Sequence, residues 1–223
     1  MRISDFKRTA RASLKNYWAD GALLTFLVFL ISSIPPIALE IYVSGGVSNW
    51  IDQETLPLPV YVVELIYNLA LIPLSVGLVW FFLSLVRQKE PRITEAFAIY
   101  KNGVTVLRMI WASILMGIFI FLWSLLFLIP GIIKALSYSQ TYYLLKDHPE
   151  WSALQAITES KKRMKGYKWK FFLLNLSFIG WAILAAIPLL IGFLWLVPYM
   201  MASLAAFYHH TIANKENEPT VNE

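Results

Sequence analysis

The sequence predicts an all-α fold: a polytopic membrane bundle of about six transmembrane helices, with an N-terminal interfacial helix and a cytoplasmic basic amphipathic helix. Two observations predict it. Hydrophobic residues make up 58% of the chain and charged residues 15%, with a mean hydropathy of +0.58, whereas soluble domains are roughly 25% charged. Apolar stretches of membrane-crossing length, about 20 residues, alternate with segments that are either strongly basic or hold no Lys or Arg. The 223 residues suffice for one integral-membrane domain over residues 1–213 and leave no room for a second sizeable one. Cysteine is absent, so disulfides, thiolate nucleophiles and Cys-ligated metals are excluded.

At the N-terminus, Ile3, Phe6, Ala10 and Leu14 share one helical face while Lys7, Arg8, Arg11 and Lys15 take the rest. Such a helix is expected to lie in the headgroup layer, ending at Tyr17 and Trp18. The first span, about 21–43, is too long for a signal-peptide core and lacks a cleavage pattern. Pro35 and Pro36 are expected to kink it or end its regular helix early. Residues 44–58 form a loop without Lys or Arg. The second span, about 59–86, is bent at Pro73 and runs into Arg87, Lys89, Arg92 and Lys101. The third, about 104–129, stops at a turn signal, Pro130-Gly131. The fourth, about 132–145, is short and polar, with Lys134, Ser137, Ser139, Gln140 and Thr141 among three tyrosines, which favours a position inside the bundle. A cytoplasmic helix over about 150–166 opens with the capping-box spacing Ser152-x-x-Gln155 and places Leu154, Ile157, Lys161 and Met164 at helical spacing. Spans five and six, about 171–187 and 189–210, join at Pro188, and residues 214–223 read as a disordered cytoplasmic tail.

Orientation follows from charge. The N-terminal segment, the second-to-third and fourth-to-fifth connections and the tail hold nearly all of the 19 Lys and Arg, and the three opposite connections hold none. By the positive-inside rule both termini are cytoplasmic, which requires an even number of spans. An echo of Ile-Pro pairs at Ile34, Ile72, Ile129 and Ile187 is too weak to establish an internal repeat.

Ionisable groups within apolar runs are the candidates for chemistry: Glu40, Glu64, Arg108 and Lys134. Their depths allow Lys134 to pair with Glu64 or Glu40 and separate Arg108 from all three. A carboxylate and an ammonium at one depth can form a buried pair, gate a polar vestibule or bind a coupling ion. The blander reading, that each snorkels to headgroups, is the stronger one. Asn68 and Asn175 suit interhelical hydrogen bonds better than substrate contacts. His209 and His210 are adjacent, so they are expected to point in different directions, and no third ligand lies at metal-binding spacing. Sequence signatures of zinc hydrolases, serine hydrolases, P-loops and dinucleotide sites are absent.

The strongest functional signal is the run Lys161, Lys162, Arg163, Lys165, Lys168 and Lys170, six cations in ten residues. Near an anionic surface each contributes roughly 1 kcal/mol. Tyr167 and Trp169 fit an interfacial anchor, which favours phospholipid headgroups over nucleic acid. A topology determinant and nothing more is the competing reading.

Several stretches resemble one family: Leu128-Ile-Pro-Gly-Ile-Ile-Lys-Ala-Leu-Ser-Tyr-Ser139, Ala153-Leu154 through Ser160, Met164-Lys-Gly166, Ser177-Phe-Ile-Gly-Trp181, Trp195-Leu-Val-Pro-Tyr199 and Ala206-Phe-Tyr208. They are similar to bacterial integral-membrane proteins grouped as domain-of-unknown-function family 975, and Lys15-Asn-Tyr-Trp18 resembles that family's opening. The resemblance implies a multi-pass protein of the bacterial cytoplasmic membrane. It implies no activity, catalytic residue, cofactor or substrate. Two function classes follow as expectations: a non-enzymatic protein that scaffolds, regulates or protects a membrane partner, or a transporter or accessory permease subunit for a small or lipid-like substrate.

Overall fold

The structure, a computed structural model, describes residues 1–52, 55–187 and 191–213, and every regular element among them is helical. The connection at Pro188 and the tail over 214–223 lie outside the described residues. Four helical stretches are long and apolar enough to cross a membrane: α2 (Trp18–Val43), α4 (Leu58–Val86), α5 (Gly103–Leu126), and α9 (Lys168–Leu176) with α10 (Ile179–Ala186) as one stretch, Lys168–Ala186. Large apolar side chains on three of them, including Leu23, Phe29, Phe121 and Ile183, are exposed, as a lipid-facing surface requires. α2 runs through Pro35 and Pro36 to Val43 without ending early.

The N-terminal helix α1 (Ile3–Leu14) forms with the expected apolar face, but that face is not left for lipid. Phe6, Ala10 and Leu14 are fully buried against α11 (Phe193–Phe207) and α4, and the Phe6 and Phe207 rings meet edge to face at 5.3 Å. Periodicity shows which face is apolar but not whether protein or membrane covers it.

The expected fourth and sixth segments are shorter and more broken than α2, α4 and α5. Phe127 is extended, and the chain restarts as α6 (Leu128–Tyr138), with Pro130 in its first turn where no backbone N–H is needed. The turn signal thus acts three residues early, at the start of a helix. α6 folds back on α5 so closely that a β-carbon on Gly131 would lie 2.0 Å from the Ser124 hydroxyl. A break at Ser139 and Gln140 precedes α7 (Thr141–Asp147). Ser160, from α8 (Ala153–Arg163), repairs it by accepting from the Gln140 N–H at 3.2 Å and donating to the Ser137 carbonyl at 2.8 Å. α11 continues into a π-helical turn, Tyr208–Ile212. The interruption at Ser177 and Phe178 is held by Lys7, whose ammonium donates to the Ser177 carbonyl at 3.2 Å and sits 4.2 Å from the Phe178 ring centroid.

Two short 3-10 turns, Ile93–Ala96 and Ala98–Lys101, lie on the end of α4. Gly77 permits this, because a β-carbon there would lie 2.0 Å from the Ala96 carbonyl oxygen. The main core runs through α1, α2, α4, α9 and α11.

Candidate functional site

The predicted basic helix is α8, and its Ser152 to Gln155 capping box forms as the spacing predicts: Ser152 Oγ accepts from the Gln155 N–H at 3.3 Å, and Gln155 Oε1 from the Ser152 N–H at 2.8 Å. Its apolar side faces protein. Ala153, Ala156, Ile157 and Ser160 are buried among α5, α6 and α7, and Met164 is fully buried, whereas Leu154 and Lys161 point outward. The buried stripe is rotated from the expected one. Small residues, Ala153 and Ala156, allow close helix contact, and hydropathy alone ranks them below Leu154.

The cations of this segment separate into two groups. Lys161, Lys162 and Lys165 are exposed, and Lys168 and Lys170 are half-buried at the start of α9, with Lys170 near the Tyr167 ring. Arg163 turns inward, 8% exposed, bonded through Nε to Glu159 at 2.9 Å and lying over the Trp151 ring. It belongs to the packing of α8, not to the outward charge.

Glu40 and Glu64 come together, but with each other: their carboxyl groups on α2 and α4 lie within hydrogen-bonding reach. Trp50, from the short helix α3 (Val47–Asp52), donates its indole N–H to Glu40 Oε2 at 2.7 Å. Glu64 Oε1 is buried without a partner among the described residues. Lys134 lies instead on the α5–α6 hairpin, its ammonium 4.1 Å from the Trp123 ring centroid. Arg108 donates to the Pro149 carbonyl and ties the start of α5 to the loop before α8. Asn68 and Asn175 each bond to the carbonyl four residues earlier in their own helix.

A buried ionic network, missed by sequence reasoning, joins the ends of three segments. Arg87, just past α4, makes two 2.6 Å hydrogen bonds to the Asp147 carboxylate at the end of α7. The Tyr208 hydroxyl donates to Asp147 Oδ2 at 2.6 Å, and its ring stacks on Tyr143 at 4.8 Å. Burial acts to raise the Asp147 carboxyl, but the Arg87 and Tyr208 hydrogen bonds outweigh it and hold its pKa below the ordinary value. Next to it, the Lys146 ammonium donates to the Trp80 carbonyl and, at 2.7 Å, to Ser84 Oγ, closing the end of α4. Burial, reinforced by the Arg87 charge, pushes the Lys146 pKa down to about 7. The available signal was two opposite charges, Arg87 and Asp147, each at the same end of an apolar segment.

His209 and His210 do not diverge as adjacent residues of an α-helix would. On the π-helical turn their ring centroids are 4.9 Å apart, and both line one cavity of about 940 Å³ between α1, the end of α4 and the end of α11. Among the described residues no cluster of three His, Asp or Glu is placed to hold a metal ion. A smaller, partly open cavity of about 340 Å³ lies between helices, with Ser32, Asn68, Ser75, Ser113 and Tyr142 among its lining residues.

The family model described as protein of unknown function (DUF975) matches residues 1–137 and 125–215. No curated protein and no solved structure matches the chain.

Proposed function

The chain belongs to the DUF975 family of proteins of unknown function, and on that premise we propose a non-enzymatic, six-span protein of the bacterial cytoplasmic membrane. In this reading both termini are cytoplasmic, and a cationic face recruits anionic phospholipid while the protein scaffolds, regulates or protects a membrane partner. One observation carries it. α8 is held against the bundle by Ser160, which donates to the Ser137 carbonyl of α6, and by its buried Ala153 and Ala156, so Lys161, Lys162 and Lys165 project from a fixed surface instead of a floating amphipathic segment. The neighbouring Tyr167 and the exposed Trp169 supply aromatic groups suited to the headgroup layer. Arg87, Lys146 and Asp147 are engaged in holding helix ends together, which suits structure more than turnover.

The test uses wild type and the triple variant K161Q/K162Q/K165Q. Native mass spectrometry counts phosphatidylglycerol retained from mixed-lipid nanodiscs, and affinity purification from native membranes identifies stoichiometric partners. The variant is expected to keep its fold and lose both retained anionic lipid and partner. Unchanged lipid retention with an unchanged partner set defeats the reading.

A second reading, a transporter or accessory permease subunit, is favoured by the 340 Å³ cavity, where Ser113 and Tyr142 bond to each other beside Asn68 and Ser75. Substrate-dependent flux in proteoliposomes, lost in S113A/Y142F, would decide for it.

A further inference from the structure

The cavity of about 940 Å³ lies away from the Lys161 to Lys170 face and draws its walls from three elements that are distant in sequence. Its volume is within the range of small-ligand sites, roughly 300–1,000 Å³. α1 contributes Arg8, Thr9 and Ser13, the turn after it contributes Asn16, the segment after α4 contributes Lys89, and the π-helical turn contributes His209 and His210. Arg87 also lines it but is held by Asp147. Glu90 is the opposing charge on the wall.

Two uncommon backbone features meet at this cavity. Gln88 has φ of 55°, and the Lys89 N–H returns to the Ser84 carbonyl at 3.0 Å, so Gln88 occupies the left-handed residue of a helix C-cap. Glycine adopts that conformation without steric penalty, yet here a polar amide is kept on the cavity wall. The second is the wide π-helical turn, which brings two neighbouring imidazoles to the cavity, and such turns are frequent at functional sites. His209 Nδ1 has no hydrogen-bond partner among the described residues, so no bond there commits the imidazole to one tautomer and either ring nitrogen can carry the proton.

We propose that this cavity binds a phosphate group, with Arg8 and Lys89 contacting its oxygens from two sides and the His209–His210 pair donating from the third. A phosphomonoester has three strong acceptor oxygens and close to two negative charges, which suits several separated donors better than a single carboxylate does. The phosphate could belong to an anionic lipid headgroup or to a soluble phosphorylated metabolite, and the site chemistry is shared.

The proposal is independent of the Lys161 to Lys170 reading, so every protein tested carries K161Q/K162Q/K165Q. The purified full-length chain in a neutral detergent is titrated by calorimetry with dihexanoyl phosphatidic acid, with glycerol 3-phosphate, and with dihexanoyl phosphatidylcholine as the zwitterionic control. Added R8Q/K89Q is expected to weaken binding about 30-fold, from two contacts of about 1 kcal/mol each. R8K/K89R is expected to restore it. Binding of phosphatidic acid alone supports a lipid source, and binding of glycerol 3-phosphate with the same sensitivity supports a soluble one. The proposal is overturned if neither phosphate probe binds, if phosphatidylcholine binds as well as phosphatidic acid, or if R8Q/K89Q binds unchanged. Arg8 and Lys89 are exposed, so the variants are expected to fold, and an unchanged melting temperature checks this.

Discussion

Replacing Asp147 with Asn tests whether the network at the ends of α4, α7 and α11 holds the bundle together. The Arg87 and Asp147 side chains are 21% and 18% exposed. Breaking a fully buried pair costs about 3–5 kcal/mol, because the remaining charge stays buried without compensation, and an exposed pair is worth about 0–1 kcal/mol. Four-fifths burial, together with the charge-assisted Tyr208 bond, puts Asp147→Asn near 3 kcal/mol, about a 150-fold change in the folding equilibrium. Unfolding in mixed micelles by increasing SDS fraction, followed by far-UV circular dichroism, measures it directly. Arg87→Met is expected to cost a similar amount, because it leaves the carboxylate unpaired. The double variant removes both charges of the pair and should fall short of the sum by at least about 2 kcal/mol. Additive single effects, or an Asp147→Asn cost below about 0.5 kcal/mol, would show that the network does not hold the fold.

Lys146 gives a pH signature of opposite origin. Its pKa is about 7 in the fold and 10.5 ordinarily, so between those values the unfolded chain binds more protons and stability rises with pH. Lys146→Met should flatten that rise in denaturation midpoints measured from pH 7 to 9.5. Gly77→Ala forces the Ala96 carbonyl or α4 to move from a 2.0 Å approach, with an expected loss of about 1–3 kcal/mol. Gly117→Ala, where an added β-carbon meets nothing within 4 Å, is the control and should be neutral or stabilising in thermal melts.

Helix limits were legible where a long apolar run meets polar residues abruptly. α4 begins at Leu58 and ends at Val86, within one residue of the span read from hydropathy. The capping box at Ser152 was legible for the same local reason, since its donors and acceptors lie three residues apart. What covers an apolar face was not legible. α1 and α8 both have the composition of surface-lying helices, yet α11 covers one and α5, α6 and α7 cover the other, because lipid and protein interior are equally apolar. Pairing by charge misled at Glu40 and Glu64, where the chain sets two acids together beside the Trp50 indole and sends Lys134 to an aromatic ring. The Arg87, Asp147 and Tyr208 network joins residues about 60 positions apart, and no local pattern links them.

The contact between Phe6 and Phe207 joins residues roughly 200 positions apart. At a synthesis rate of about 5–20 residues per second, the first helix emerges some 10–40 s before the segment that covers it. Until α11 follows, α4 can cover only part of the face formed by Phe6, Ala10 and Leu14, and the rest has only the membrane surface or a chaperone to shelter it. Assembly of this chain is therefore expected to have a late closing step: α1 completes its packing only after α11 has been made. A ribosome stalled before residue 193 should hold α1 accessible to protease, and release of the full chain should protect it.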